Sequence, residues 1–177
     1  MVIMSSEQES QFSYDELFFS RTDHRGVILS GNSVFRRVAA YEWDELIGKP
    51  HSLVRHADMP RGVFWLFWQV LHSGQPIAAY VKNRSKNGHY YWVFALATPL
   101  ADGYLSVRMK PGSPVFDIVQ KEYQRVLEIE TRDGLSPQVS GEMVLKALAR
   151  LGFSDYQSFM TKAFLAELEH RQKSLNR

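Results

Sequence analysis

Three chemically capable side chains sit within four positions of one short stretch, "SLVRHADMP": Arg55, His56 and Asp58. A guanidinium offers a planar fork of donors that matches phosphate. A carboxylate accepts from hydroxyls, and an imidazole can donate or accept. Together they suit a charged, ring-bearing ligand, although the same residues also make an ordinary solvated loop with a local ion pair. Trp68 follows eight residues after Pro60, in the aromatic run "GVFWLFWQVL". Asn83 lies further on, in "YVKNRSKNG", and carries both a donor and an acceptor. From residue types alone, Trp68 reads equally as core, Asn83 as a turn cap, Tyr91 as sheet packing and Asn32 as a helix cap.

Other chemistry is excluded or unsupported. The chain has no cysteine, so disulfides, thiolate nucleophiles, cysteine-ligated metals and a flavin–cysteine photoadduct are ruled out. The six histidines lack metal-ligand spacing; His51 and His56 are separated by a proline-flanked loop. No nucleophile elbow, Walker loop, zinc-protease motif or dinucleotide glycine cluster is present, and no enzyme activity is expected. Twenty-one basic residues against 19 acidic ones leave a net charge of +2, which gives no electrostatic footprint for nucleic acid. No apolar run reaches the roughly 20 residues of a membrane helix. The N-terminus lacks a signal-peptide pattern, and a cytoplasmic protein is expected.

The elements that must position these residues are legible from periodicity. At 177 residues, 45% hydrophobic and 13% aromatic, the chain can bury a core. "LFFSRTDHRGVILSGN" predicts two short strands around a turn. "SVFRRVAAY" predicts a helix capped by Asn32 or Ser33, and "EWDELIG" a further helical turn. Met59-Pro60 opens a helix to about His72, with Phe64, Trp68 and Leu71 on one face. Two long strands, "PIAAYVKNR" and "HYYWVFALATPL", meet across Asn87-Gly88, a strong hairpin signal. On the second, Tyr91, Val93, Ala95 and Ala97 share one face, and Tyr90, Trp92, Phe94 and Leu96 the other. The small-residue face leaves room for a ligand; the bulky face requires cover by a helix or a second subunit. "GYLSVRM" predicts a last strand. Three helical segments follow Pro111. Val144, Leu148 and Leu151 form a packing stripe, and Ser154 is a candidate cap for the final helix.

The strings "GKPHSLVRHADMP", Trp68, "VKNRSKNGHYYWV" and "GYLSVR" closely resemble the PAS domain of bacterial aerotaxis receptors, over about Phe18 to Arg108. The resemblance implies an α+β PAS fold, an antiparallel five-stranded sheet with flanking helices, followed by a C-terminal helical segment. It divides the chain into an N-terminal cap (1–16), a sensor domain (17–112) and the helices (113–177). It implies non-covalent FAD held by Arg55, His56, Asp58, Trp68 and Asn83, with Asn32 and Tyr91 in support. It implies a redox sensor of the aerotaxis type, expected as a homodimer that signals to a separate protein in trans. The resemblance stops before the membrane anchor and signalling domain of those receptors, so output in cis is not expected. Two rival readings stay open. One is a haem-binding gas sensor with His72 or His56 as axial ligand. The other is a cofactor-free interaction module whose slot is filled by side chains and whose bulky face dimerises.

Overall fold

The computed structural model describes residues 8–176. Strands β1 (Leu17–Thr22) and β2 (Ile28–Gly31) are followed by α1 (Ser33–Ala39) and α2 (Trp43–Leu46). A 3-10 turn (His51–Val54) and α3 (Arg61–His72) come next. Then come β3 (Ile77–Arg84), β4 (Tyr90–Leu100) and β5 (Gly103–Met109), and finally α4 (Pro114–Asp133), α5 (Pro137–Arg150) and α6 (Tyr156–Leu175). The sheet is antiparallel, in the order β2-β1-β5-β4-β3. This is the expected five-stranded arrangement with flanking helices and a helical C-terminus.

Local chemistry sets the element ends. Asn32 caps α1, its side-chain oxygen accepting from the Phe35 N–H. Ser113 and Ser136 cap α4 and α5, each followed by a proline at the first helical position. Asp155, not Ser154, caps α6; its carboxylate accepts the Ser158 N–H at 2.6 Å. The shorter serine one position earlier lies outside the cap and only touches the Asp155 carboxylate. The β3–β4 turn closes through Ser85 and Gly88, with Gly88 at φ 87°. Gly103 is at φ 149°, and a Cβ there would stand 1.9 Å from the Thr22 carbonyl oxygen. Only glycine lets the β4–β5 turn press so closely on β1.

The sheet has two working faces. Inner-facing residues fall in rows across the strands: Phe18, Arg108, Ala95 and Ala79 in one, Ser20, Ser106, Ala97 and Ile77 in the next. On the outer face Tyr80, Trp92 and Phe94 pack against Phe116, Tyr123, Phe159 and Phe164 of α4 and α6. The chain's own helices therefore cover the β3–β4 half of the bulky face. The β1–β5 half remains open, with Phe19 44% exposed beside exposed Leu17 and Leu96.

Two buried carboxylates fix those helices. Glu167 of α6, 1% exposed, accepts from the Tyr80 hydroxyl (2.7 Å), the Ser113 hydroxyl (2.6 Å) and the Gly112 N–H (2.9 Å). Glu130 of α4 accepts from the Arg61 backbone N–H and its Nε, both at 2.9 Å, and from the Ser140 hydroxyl. It thereby satisfies an orphan donor at the start of α3 and ties that helix to α4 and α5. Helices α3 and α5 also touch backbone to backbone, because a Cβ on Gly62 would lie 2.2 Å from the Gly141 nitrogen. Gly62→Ala must therefore push the two helices apart. Denaturant unfolding is expected to show a loss of about 1–3 kcal/mol, the usual cost of overpacking; an unchanged midpoint would refute the contact.

Candidate functional site

A cleft of about 370 Å³ lies between the inner face of the sheet and α3, within the size range of small-molecule sites. Its floor is small: Ala95, Ala97 and Ser106 from the sheet. Its far wall is aromatic: Phe64, Phe67 and Trp68, one side of α3 at helical spacing. The Trp68 ring meets Tyr104 edge-on at 5.5 Å and lies against the Gly26 backbone.

The rim is held open at both ends. At one end Val27 bridges Pro50, the Ile28 N–H donates to the Lys49 carbonyl, and the His51 N–H donates to that of Gly26. At the other, Arg55 forms an isolated antiparallel bridge with Asn83. The segment between is thus pinned to the β1–β2 turn and to the end of β3, and it frames the mouth.

The structure brings together three of the residues expected from sequence. Arg55 lies at the mouth, its guanidinium stacked over Phe64 at 3.6 Å from the ring centroid. Trp68 forms part of the wall. Asn83 lines the cleft and is 4% exposed. The hairpin turn that Asn83 could have capped is closed by Ser85 and Asn87 instead.

The other four lie elsewhere. Asn32 is outside the cleft; its amide donates to the Leu17 carbonyl at 2.7 Å and its oxygen accepts from Phe19 and Phe35, so it joins β1 to α1. His56 is buried beside the cleft, its Nδ1 accepting from the Asp58 N–H at 3.0 Å. Asp58 faces a separate open groove with Lys82, Tyr90 and α4, and its carboxylate pairs with the Lys82 ammonium. A neighbouring ammonium already occupies the oxygen that was read as a hydroxyl acceptor. Tyr91 is fully buried behind the cleft in register with Asn83, its hydroxyl without a partner among the described residues. Burial holds that phenol above its usual range, opposed by nearby Arg108.

Sequence reasoning missed the most unusual group in the site. Arg108 of β5 lines the cleft and is 5% exposed. Its Nη2 donates to the Ser20 hydroxyl (3.0 Å) and to His51 Nε2 (2.7 Å), while Nη1 has no partner among the described residues. A guanidinium only donates, so His51 Nε2 must accept, and the imidazole is neutral with its proton on Nδ1. The His51 ring lies parallel to Phe35 at 5.7 Å. Burial, then the Arg108 charge, pushes His51 well below its usual pKa. Burial also pushes Arg108 down to about 10, which leaves it cationic at neutral pH. The signal was present in "GYLSVRM": strand alternation puts Tyr104, Ser106 and Arg108 on one face, and that face is the cleft.

This arrangement makes stability pH-dependent in one direction. His51 is neutral when folded and protonates freely when unfolded, so acid favours the unfolded chain once pH falls below about 6.5. Between pH 6.5 and 5 the cost is about 1–2 kcal/mol, and His51→Gln is expected to flatten the slope in that window. Chemical denaturation across the range checks this; parallel slopes for both proteins would place the acid sensitivity elsewhere.

Comparison with known proteins agrees with this geometry. The PAS fold family matches residues 28–107. The aerotaxis receptor of Escherichia coli (strain K12) is 36% identical over 124 residues, covering 67% of this chain and 24% of the receptor. The biofilm dispersion protein BdlA of Pseudomonas aeruginosa is 27% identical over 160 residues, covering 85% of this chain and 37% of that protein. The chain thus spans well under half the length of these relatives. The blue-light activated histidine kinase of Erythrobacter litoralis EL346 shares the fold, with a TM-score of 0.50 at 11% identity over 64% of this chain and 41% of the kinase. No helix among the described residues is long and apolar enough to cross a membrane. The chain therefore carries a PAS domain of the aerotaxis-receptor family.

Proposed function

We propose that the cleft holds FAD non-covalently and that the chain is a redox sensor acting on a separate signalling protein. The observation that carries this reading is Asn83. Its side chain lines the cleft and offers both a donor and an acceptor to what fills it. It sits in a slot with a small-residue floor and an aromatic wall, which suits a flat ring with an amide-like edge. Arg55, at the mouth and already oriented by Phe64, is placed to meet the phosphates of a ligand that extends outward. Trp68 closes the apolar side. Asn32, His56, Asp58 and Tyr91 act on the site through the backbone that they hold, rather than by facing the ligand. Bound flavin would supply reversible electron exchange with oxygen or a cellular electron carrier.

The rival readings find less support. Neither His56 nor His72 lines the cleft, and His51, which does, has its Nε2 engaged by Arg108. That leaves haem without an evident axial ligand among the described residues. A cofactor-free module would need the slot filled by side chains, whereas about 370 Å³ remains between sheet and helix. Purified protein is expected to stay yellow through desalting, with the two-banded absorption of a flavin. Asn83→Ala and Trp68→Ala are expected to lose the colour while remaining folded by circular dichroism. A sharp Soret band, or colourless protein that ignores added FAD, would end this reading.

The relay uses the chain's own contacts. Asn83 is bridged through its backbone to Arg55, Arg55 stacks on Phe64 of α3, and α3 is joined to α4 and α5 through Arg61–Glu130 and Gly62–Gly141. A change in the hydrogen bond at Asn83 thus has a packed route to the helices. The open strip of Leu17, Phe19 and Leu96 gives a second copy of the chain a surface on which to register the change. Oxidised and reduced protein are expected to differ in protease cleavage beyond residue 111 and in sedimentation. Identical digests and identical sedimentation would leave the helices without a signalling role.

A further inference from the structure

Arg108 has no counter-anion. No carboxylate among the described residues pairs with its guanidinium; the hydroxyl of Ser20 and the neutral ring of His51 are its side-chain acceptors. The nearby Tyr91 hydroxyl is itself without a partner. Burying a lone cation costs several kcal/mol, and a fold has two ways to offset that cost: an internal carboxylate or an external anion. The first is missing, although Ser20 and Ser106 stand where a carboxylate side chain would fit the same face of the sheet. The cation also lies deep in the cleft, in the same row as Ala95 and Ala79, while Arg55 takes the mouth.

We propose that Arg108 is the anion-recognising residue of the cleft, so that the buried edge of the ligand is acidic and carries the negative charge that the protein withholds. His51 is a positioning residue. As a neutral acceptor at 2.7 Å it holds the guanidinium fork without neutralising it. Together with the flavin reading, the inference says that the site prefers the more negative redox form of its ligand, and that Arg108 sets this preference.

The test uses the full chain. Dissociation constants for oxidised and reduced FAD are measured for the natural protein, for Arg108→Met, which keeps the volume, and for Arg108→Lys, which keeps the charge. Arg108→Met is expected to weaken binding of the reduced form relative to the oxidised form by about tenfold or more, a shift of about 30 mV for a two-electron couple. Arg108→Lys is expected to recover part of it. Ser20→Asp supplies an internal counter-anion at the guanidinium; it is expected to raise the melting temperature and to erase the same preference, and it serves if Arg108→Met does not fold. Flavin bound with an unchanged ratio in Arg108→Met, or in Ser20→Asp, overturns the role of Arg108 and leaves the flavin reading intact. Colourless protein overturns the flavin reading alone. Calorimetric titration with urate, a planar heterocycle that is anionic at neutral pH, then decides. Binding lost in Arg108→Met or Ser20→Asp upholds the inference, and no binding, or binding indifferent to both, refutes it.

Discussion

The site depends on one constraint: the rim segment from Lys49 to Arg55 is fastened at both ends, to the β1–β2 turn and to Asn83. Together with the anchoring of α3 to α4 and α5, those bridges keep Phe64 and Trp68 off the alanine floor, against the ordinary gain from burying apolar area. A cleft of about 370 Å³ thus remains between helix and sheet. Polar groups then become tolerable on an otherwise apolar interior face. Asn83, Ser106 and Arg108 all point into a space that the backbone keeps open.

Much of this was legible in the sequence, for physical reasons that differ by element. Period-two alternation in "HYYWVFALATPL" identified the small face, and Ala95 and Ala97 do form the floor. Helical spacing put Phe64, Trp68 and Leu71 together, and all three line the cleft. Proximity in sequence misled in the charged loop. Arg55, His56 and Asp58 are near neighbours, but the extended backbone after the 3-10 turn sends them to different places: the mouth, a buried position and a separate groove. Asn32 illustrates a residue type with two good uses, where the local one, capping, took all of its polar atoms. Arg108 lies in "GYLSVRM", a segment whose pattern predicts a strand but not its neighbours in the sheet. Only the pairing of β5 between β1 and β4 makes it central.

The helices after Pro111 were seen as a change of composition, with their packing partner undetermined. The structure supplies it. Phe116, Phe159 and Phe164 lie on Tyr80, Trp92 and Phe94, so half of the bulky strand face is satisfied within the chain. That leaves a narrower surface over β1 and β5 for any second copy. It also joins α3, whose rings face the cleft, to α5 through the close Gly62–Gly141 contact, with Ser140 and Trp65 beside it. A small displacement of α3 there must move the α5 backbone or those two side chains.

Glu167 gives the boundary near residue 112 a different meaning. This carboxylate belongs to the last helix, yet it accepts hydrogen bonds from the sheet and from the residues that lead into α4 at once. Lifting α6 away would leave the Tyr80 and Ser113 hydroxyls and the Gly112 N–H without their acceptor and uncover the rings of Tyr80 and Phe94 together. The last helix and the sheet therefore share one core, and a fragment trimmed near residue 112 would lose a wall of it.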